Sequence, residues 1–157
     1  MVMKENYIFS VIWKQISGNE DILKCLGLNI YTDKKIIRGS ILPSLPLSYL
    51  DLPKITVLSN INARQSESIP YMDEIQFQIH AITYDETYAL NIKILEYIRE
   101  LIDTQVFPLD EDSGLCYWSG FWWLNEDKMS TTTPDTYDYY HTYKTEVLRK
   151  QSNRLGA

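Results

Sequence analysis

His80 and His141 are the two histidines of the chain, and they are the first residues whose type suggests chemistry. A neutral-pH imidazole can act as a general acid or base, or as a metal ligand. Each lies in a stretch of alternating residue character, so two neighbouring strands would let them meet across a sheet. A cleft between them would also need a carboxylate. Asp85, Glu86 and the run Asp110, Glu111 and Asp112 are the candidates. None stands at a spacing that completes the three or four ligands of a zinc-type site. A half-exposed polar sheet face is the simpler reading. Cys116 beside a histidine would make a nucleophile pair, but it sits in LCYWSGFWWLN with no histidine near it in sequence. Cys25 and Cys116 are far apart and form no CxxC, which favours buried thiols over a disulfide. The phosphate-loop, dinucleotide, HExxH and G-x-S-x-G motifs are absent. The expectation is a protein without catalytic residues, metal or cofactor.

Aromatic residues are the more informative group. Tyr117, Trp118, Phe121, Trp122 and Trp123 cluster in one stretch, and Tyr137, Tyr139, Tyr140 and Tyr143 in another. Surplus Trp and Tyr suit protein interfaces, where an apolar body carries a polar tip. Ordinary core packing and a carbohydrate or other ligand face are the alternatives. Trp118, Trp122, Trp123 and Tyr140 are the candidate contact residues. Arg64, the one cation of the polar stretch 60–68, is a further candidate.

The elements that must position these residues follow from periodicity. Ile8, Val11, Ile12 and Ile16 stand at helical spacing, and Gly18-Asn19 interrupts them. A second short turn ends near Gly27, and Ile30-Tyr31 starts an extended piece. Pro43, Pro46 and Pro53 exclude a long regular element there. KITVLSN is β-prone, with Ile55 and Val57 alternating with Thr56 and Leu58, and NARQSES after it reads as a polar turn or hairpin connection. Residues 70–83 form the clearest strand. Ile75, Phe77, Ile79 and Ala81 share one face, and Glu74, Gln76, Gln78 and His80 share a wet one. Asp85 or Thr83 is the expected N-cap of a helix running to about residue 102. Leu90, Ile94, Ile98 and Leu101, widened by Leu95 and Ile102, face its core side. Gly120 splits the strand-forming LCYWSGFWWLN, the acidic PLDEDSG before it is a solvated loop, and EDKMSTTTPD after it is a second loop. The last alternating stretch is YDYYHTYKTEVLRK. Tyr139, His141, Tyr143, Thr145 and Val147 share one of its faces. The order α, β, β, α, β, β predicts an α+β two-layer sandwich of about four mainly antiparallel strands, with helices on one face. Residues 1–150 form one domain, and 151–157 read as a frayed tail.

The totals agree with that organisation. The chain has 157 residues, is 45% hydrophobic, and carries a net charge of −6. That is enough apolar material for one core. The acidic balance argues weakly against nucleic acid as a main partner, since phosphate binding wants clustered Lys and Arg. There is no run of 18 apolar residues, so no membrane helix is expected. The opening MVMKENYIFS lacks the apolar run and cleavage site of a signal peptide.

In this arrangement the chain resembles the tail terminator, or tail completion, proteins of long-tailed bacteriophages. Four pieces carry the resemblance: the helical opening Ile8–Ile16; LPLSYLDLPKITV; MDEIQFQIHAITYDETYALNIKILEYIRELI; and DTYDYYHTYKTEV. Gln76, Gln78, Ala81, Thr83, Tyr84, Glu86 and Ala89 fit the family's strand–turn–helix pattern. The resemblance implies a structural protein that assembles as a hexameric ring, capping the tail tube at the neck. Its partners would be its own copies, the tail tube protein and a head-completion or neck protein. DNA would pass through the ring without specific binding. Such a protein is made in the host cytoplasm and ends at the tail–neck junction of the virion. The Trp-rich LCYWSGFWWLN and the long EDKMSTTTPD depart from the family pattern. Another head–tail connector protein is the neighbouring alternative. A small enzyme or ligand-binding domain around His80 and His141 is the alternative of a different class.

Overall fold

The computed structural model describes residues 3–27, 36–38, 52–65, 72–84, 88–108, 115–131 and 133–149. Ile8, Ile12 and Ile16 recur every fourth residue, and all three are buried on one side of α1 (Met3–Ser17). Asn19 ends that run and caps the next, its side-chain oxygen accepting from the Ile22 amide at 3.0 Å. The result is the short α2 (Glu20–Cys25), closed by Gly27 at φ +74°.

Strands follow. The short β1 (Ile36–Arg38) pairs in parallel with the start of β2 (Lys54–Gln65). β3 (Met72–Tyr84) pairs antiparallel with β2. α3 (Tyr88–Ile102) then carries the chain across to β4 (Leu115–Met129), and β5 (Thr136–Arg149) returns between β3 and β4. The sheet order is β1-β2-β3-β5-β4, so a four-stranded antiparallel sheet carries one short parallel strand at its edge. Three helices pack against it, and the fold is α+β.

The core lies between the layers. Ile75, Phe77, Ile79 and Ala81 of β3 meet Ile94, Leu95, Ile98 and Ile102 of α3, with Tyr143 and Val147 of β5 beside them. Leu90 and Leu101, expected in the centre of the helical stripe, lie at its margin. Phe77 stacks on Tyr143 at 5.9 Å and meets Phe121 edge-on at 5.7 Å.

Three expectations change. NARQSES is not a turn from its start, because β2 continues to Gln65 opposite Asp73. EDKM is not loop either, because β4 continues to Met129 opposite Asp138. In both places the edge-strand residues themselves, 60–65 and 124–129, are exposed, so no apolar alternation marks them. Third, β2 does not alternate: Ile55, Thr56, Val57, Leu58 and Ser59 are all buried. Leu58 and Asn60 have positive φ, and the register shifts on either side of Ser59, which rotates side chains out of simple period 2. The expected strand at Ile30-Tyr31, Asp85 as cap, the acidic loop 110–112 and the tail 151–157 lie outside the described residues.

Candidate functional site

The register decides the fate of the two histidines. Ile79 stands opposite His141, and His80 opposite Tyr140. Side chains of successive strand residues point to opposite faces, so His80 and His141 are on different sides of the sheet. They cannot line one cleft, which corrects the expectation of a meeting across the sheet.

His80 is also not on a wet face. It is 4% exposed, with Nδ1 2.7 Å from Asp138 Oδ1 and Nε2 3.0 Å from Gln78 Oε1. The Tyr140 ring stacks on it at 4.8 Å. Gln78 Oε1 also accepts from Asn60 Nδ2 at 2.6 Å, and the buried Thr56 and Ser59 hydroxyls bond at 3.2 Å. Both ring nitrogens of His80 are occupied, so neither is free to take a substrate proton. Burial, then the Asp127 and Asp138 charges, push the Tyr140 phenol above its ordinary value.

His141 is fully buried on the helix side. Its Nε2 is 2.7 Å from Glu126 Oε1 of β4 and 3.9 Å from Glu96 Oε1 of α3. Burial holds its pKa below the ordinary histidine value, against the opposing pull of the Glu126 bond and of the two Glu charges. Tyr143 beside it is pushed far above the ordinary phenol value by burial and then by Asp103. His141 Nδ1, Tyr143 Oη and Trp123 Nε1 are buried without a hydrogen-bond partner in the described structure.

The aromatic group divides by layer. Trp118 is 3% exposed, meets Phe121 at 5.1 Å and Tyr7 at 5.5 Å, and donates Nε1–H to Thr145 Oγ1. Its bulk completes the core of its own chain. Trp123 is half-buried on the helix side, with the Arg99 guanidinium 3.7 Å over its ring. Trp122 and Tyr140 are half-buried on the helix-free face, Trp122 under Lys144 at 5.4 Å. Arg64 is 57% exposed on β2 and bonds Glu74 Oε2 at 2.8 Å, while Lys144 approaches Glu74 Oε1 at 3.7 Å. Tyr117 of the aromatic cluster is exposed, while sequence reasoning missed the exposed Ile61, Leu124 and Met129. Their signal was apolar residues placed among polar ones in stretches read as loop or core.

The two sheet edges differ along their lengths. Residues 103–105 run beside the middle of β4: Thr104 N–H donates to Phe121 O at 2.8 Å, and Trp123 N–H to Asp103 Oδ1 at 2.9 Å. Gly120 at φ +86° lets the Gln105 carbonyl approach there. Beyond this clamp the edge from Leu124 to Met129 is exposed and, among the described residues, has no partner on its outer side. Among the described residues β2 is covered by β1 at residues 55–57 alone, and Asn60 to Gln65 are exposed. Among them one open segment is at each edge, and the two lie toward opposite ends of the sheet. No described helix is long and apolar enough to cross a membrane.

No family model and no curated protein matches the chain. Among solved structures, a chain of the virion of native gene transfer agent (GTA) particle is similar over 87% of this chain and 90% of its own. The TM-score is 0.60 at 12% identity, so what the two chains share is the fold.

Proposed function

We propose that the protein is a non-catalytic structural component of a phage-type virion. In this reading it forms a ring, expected to be a homohexamer, that closes the head-proximal end of the tail tube. DNA passes through its channel, and its outer surfaces dock the tube and a head-completion or neck protein. The shared fold with a chain of a GTA virion supports the virion setting, and the terminator-like strand–turn–helix supports the neck position.

The observation that carries the ring is the pair of open edge segments. A head-to-tail contact needs two different surfaces on one chain, and 60–65 of β2 and 124–129 of β4 are such surfaces. β2 and β4 run in opposite directions, so β4 of one copy can extend the sheet of the next by antiparallel pairing along β2. Measured along β5, Asn62 stands level with Lys144 and Glu126 with His141, roughly 10 Å apart at strand rise. That offset displaces neighbouring copies along the strands, and tilted strands absorb such a shear when a sheet closes on itself. Exposed Ile61, Leu124 and Met129 supply apolar contact, and Arg64 faces Asp127 of the next copy, both on the helix-free face.

The test is directional cross-linking with Cys25 and Cys116 replaced by serine. Ala63→Cys with Lys128→Cys, treated with a short bismaleimide, should give a covalent ladder that stops at six chains. Light scattering of untreated protein should approach six times the 18.4 kDa chain mass as concentration rises. Dimers formed by either single-cysteine variant would indicate a two-fold contact and overturn the ring. Rescue of tail completion in a terminator-deficient phage separates a terminator from another connector.

A further inference from the structure

We infer that Glu96, Glu126 and His141 form a binding site for a first-row divalent metal ion, with Zn²⁺ the best-fitting occupant. Their candidate ligand atoms all lie within 4.8 Å of one another. The three residues come from α3, β4 and β5, so no local sequence effect explains their meeting. Two carboxylates converge on one imidazole nitrogen, at 2.7 and 3.9 Å. That nitrogen carries at most one proton and can serve one of them.

The charge around the cluster is otherwise unbalanced. Arg99, one turn from Glu96 on α3, is directed to the Trp123 ring and to Asp103 Oδ2 at 3.5 Å. Among the described residues, neither Glu96 nor Glu126 is paired with a lysine or arginine. The fully buried imidazole is the second observation. Its Nδ1 has no partner, so the ring's polar contacts are all on the carboxylate side. One imidazole and two carboxylates are a donor set that suits zinc better than magnesium or calcium, which take oxygen alone.

The geometry needs small adjustments. Tetrahedral zinc at ordinary bond lengths sets its ligand atoms about 3.3 Å apart. Glu126 must open slightly from His141, Glu96 must close on it by a similar amount, and the two carboxylates, within 4.8 Å of each other, must draw together further. Both glutamate side chains are partly exposed, at 34% and 49%, and can swing without moving the backbone. The fourth position faces solvent and takes a water. Because Glu126 lies on the open part of β4, an occupied site ties the β4–β5 arm to α3. The site itself does not depend on ring formation.

EDTA-dialysed full-length protein should be titrated with ZnCl₂ by calorimetry and with Co²⁺ by visible absorption. The expected result is one Zn²⁺ per chain, tetrahedral Co²⁺ bands, and affinity reduced at least about tenfold in both Glu96→Gln and Glu126→Gln. These partly exposed positions should leave the fold intact, checked by circular dichroism, whereas His141→Gln at a buried site is a secondary variant. No saturable Zn²⁺ binding up to about 1 mM, or weakening in fewer than both glutamine variants, overturns the site.

Discussion

Replacing Gly120 with alanine should release the clamp along β4, and its cost can be worked from the backbone. Gly120 has φ +86°, and a Cβ there would sit 2.1 Å from the Gln105 carbonyl oxygen, 3.0 Å from its carbon and 3.3 Å from Val106 Cα. All three contacts are main-chain atoms, so no side chain can turn aside. An L-residue held at positive φ costs about 1–2 kcal/mol, and forcing extra volume into a packed contact costs about 1–3 kcal/mol more. Moving 104–106 outward to relieve the clash also strains the Thr104–Phe121 hydrogen bond, worth about 1 kcal/mol. The expected loss is about 3–6 kcal/mol. Gly27→Ala is the control, because φ is +74° there and nothing lies within 4 Å of its Cβ; it should lose about 1–2 kcal/mol. Urea unfolding followed by circular dichroism measures both, and the difference corresponds to roughly 1–2 M in midpoint at an m near 2 kcal/mol/M. A Gly120→Ala loss no greater than that of Gly27→Ala would refute the steric account of the clamp.

Trp118→Ala should cost about 3–5 kcal/mol as a core truncation, while Trp122→Ala should stay within about 1 kcal/mol in the isolated chain; the reverse order in urea midpoints would contradict their assignment to core and surface. Asp138→Leu alone should destabilise by about 3 kcal/mol, because it strands buried His80, and adding His80→Phe should recover part of that loss. Full additivity in the double-mutant cycle would mean that the pair is not coupled. Burial raises the Cys25 thiol above its ordinary value, with Lys93 opposing. Its thiolate fraction at pH 8 is therefore lower than that of a free thiol, and iodoacetamide should modify it more slowly than glutathione, the gap narrowing as pH rises. Peptide mapping over time reads the rate, and equal rates at pH 8 would contradict the shift.

The parts of the fold legible in the sequence are those where one side is dry. Ile75, Phe77, Ile79 and Ala81 announced β3, and Ile94, Leu95, Ile98 and Ile102 announced α3, because a buried face imposes a period. Where an edge strand's residues are exposed throughout, as in 62–65 and 126–129, the period vanishes and strand looks like loop. His80 was misplaced for a related reason. Period 2 put it on the helix-free face correctly, but burial there depends on Asp138 and Tyr140, which stand nearly 60 residues away in sequence. The strand order, the approach of Gln105 to Gly120 and the meeting of Glu96 with Glu126 and His141 are likewise non-local. Composition named the aromatic surplus but could not sort Trp118, which fills the core, from Trp122, which does not.

The position of β5 also has a consequence for the order in which the chain becomes competent. Translation reaches β5 after every other described strand, yet β5 lies between β3 and β4 and holds them together. Before about residue 136 emerges from the ribosome, β2–β3 and β4 are separate pieces, each with an unpaired inner edge. The pairing that joins them closes a long stretch of chain and is entropically slow. An interrupted chain therefore lacks a continuous sheet, and with it the two-edged shape that a neighbouring copy would recognise. In the proposed ring, completion of the last strand would act as a licence for assembly, granted once the whole sheet exists.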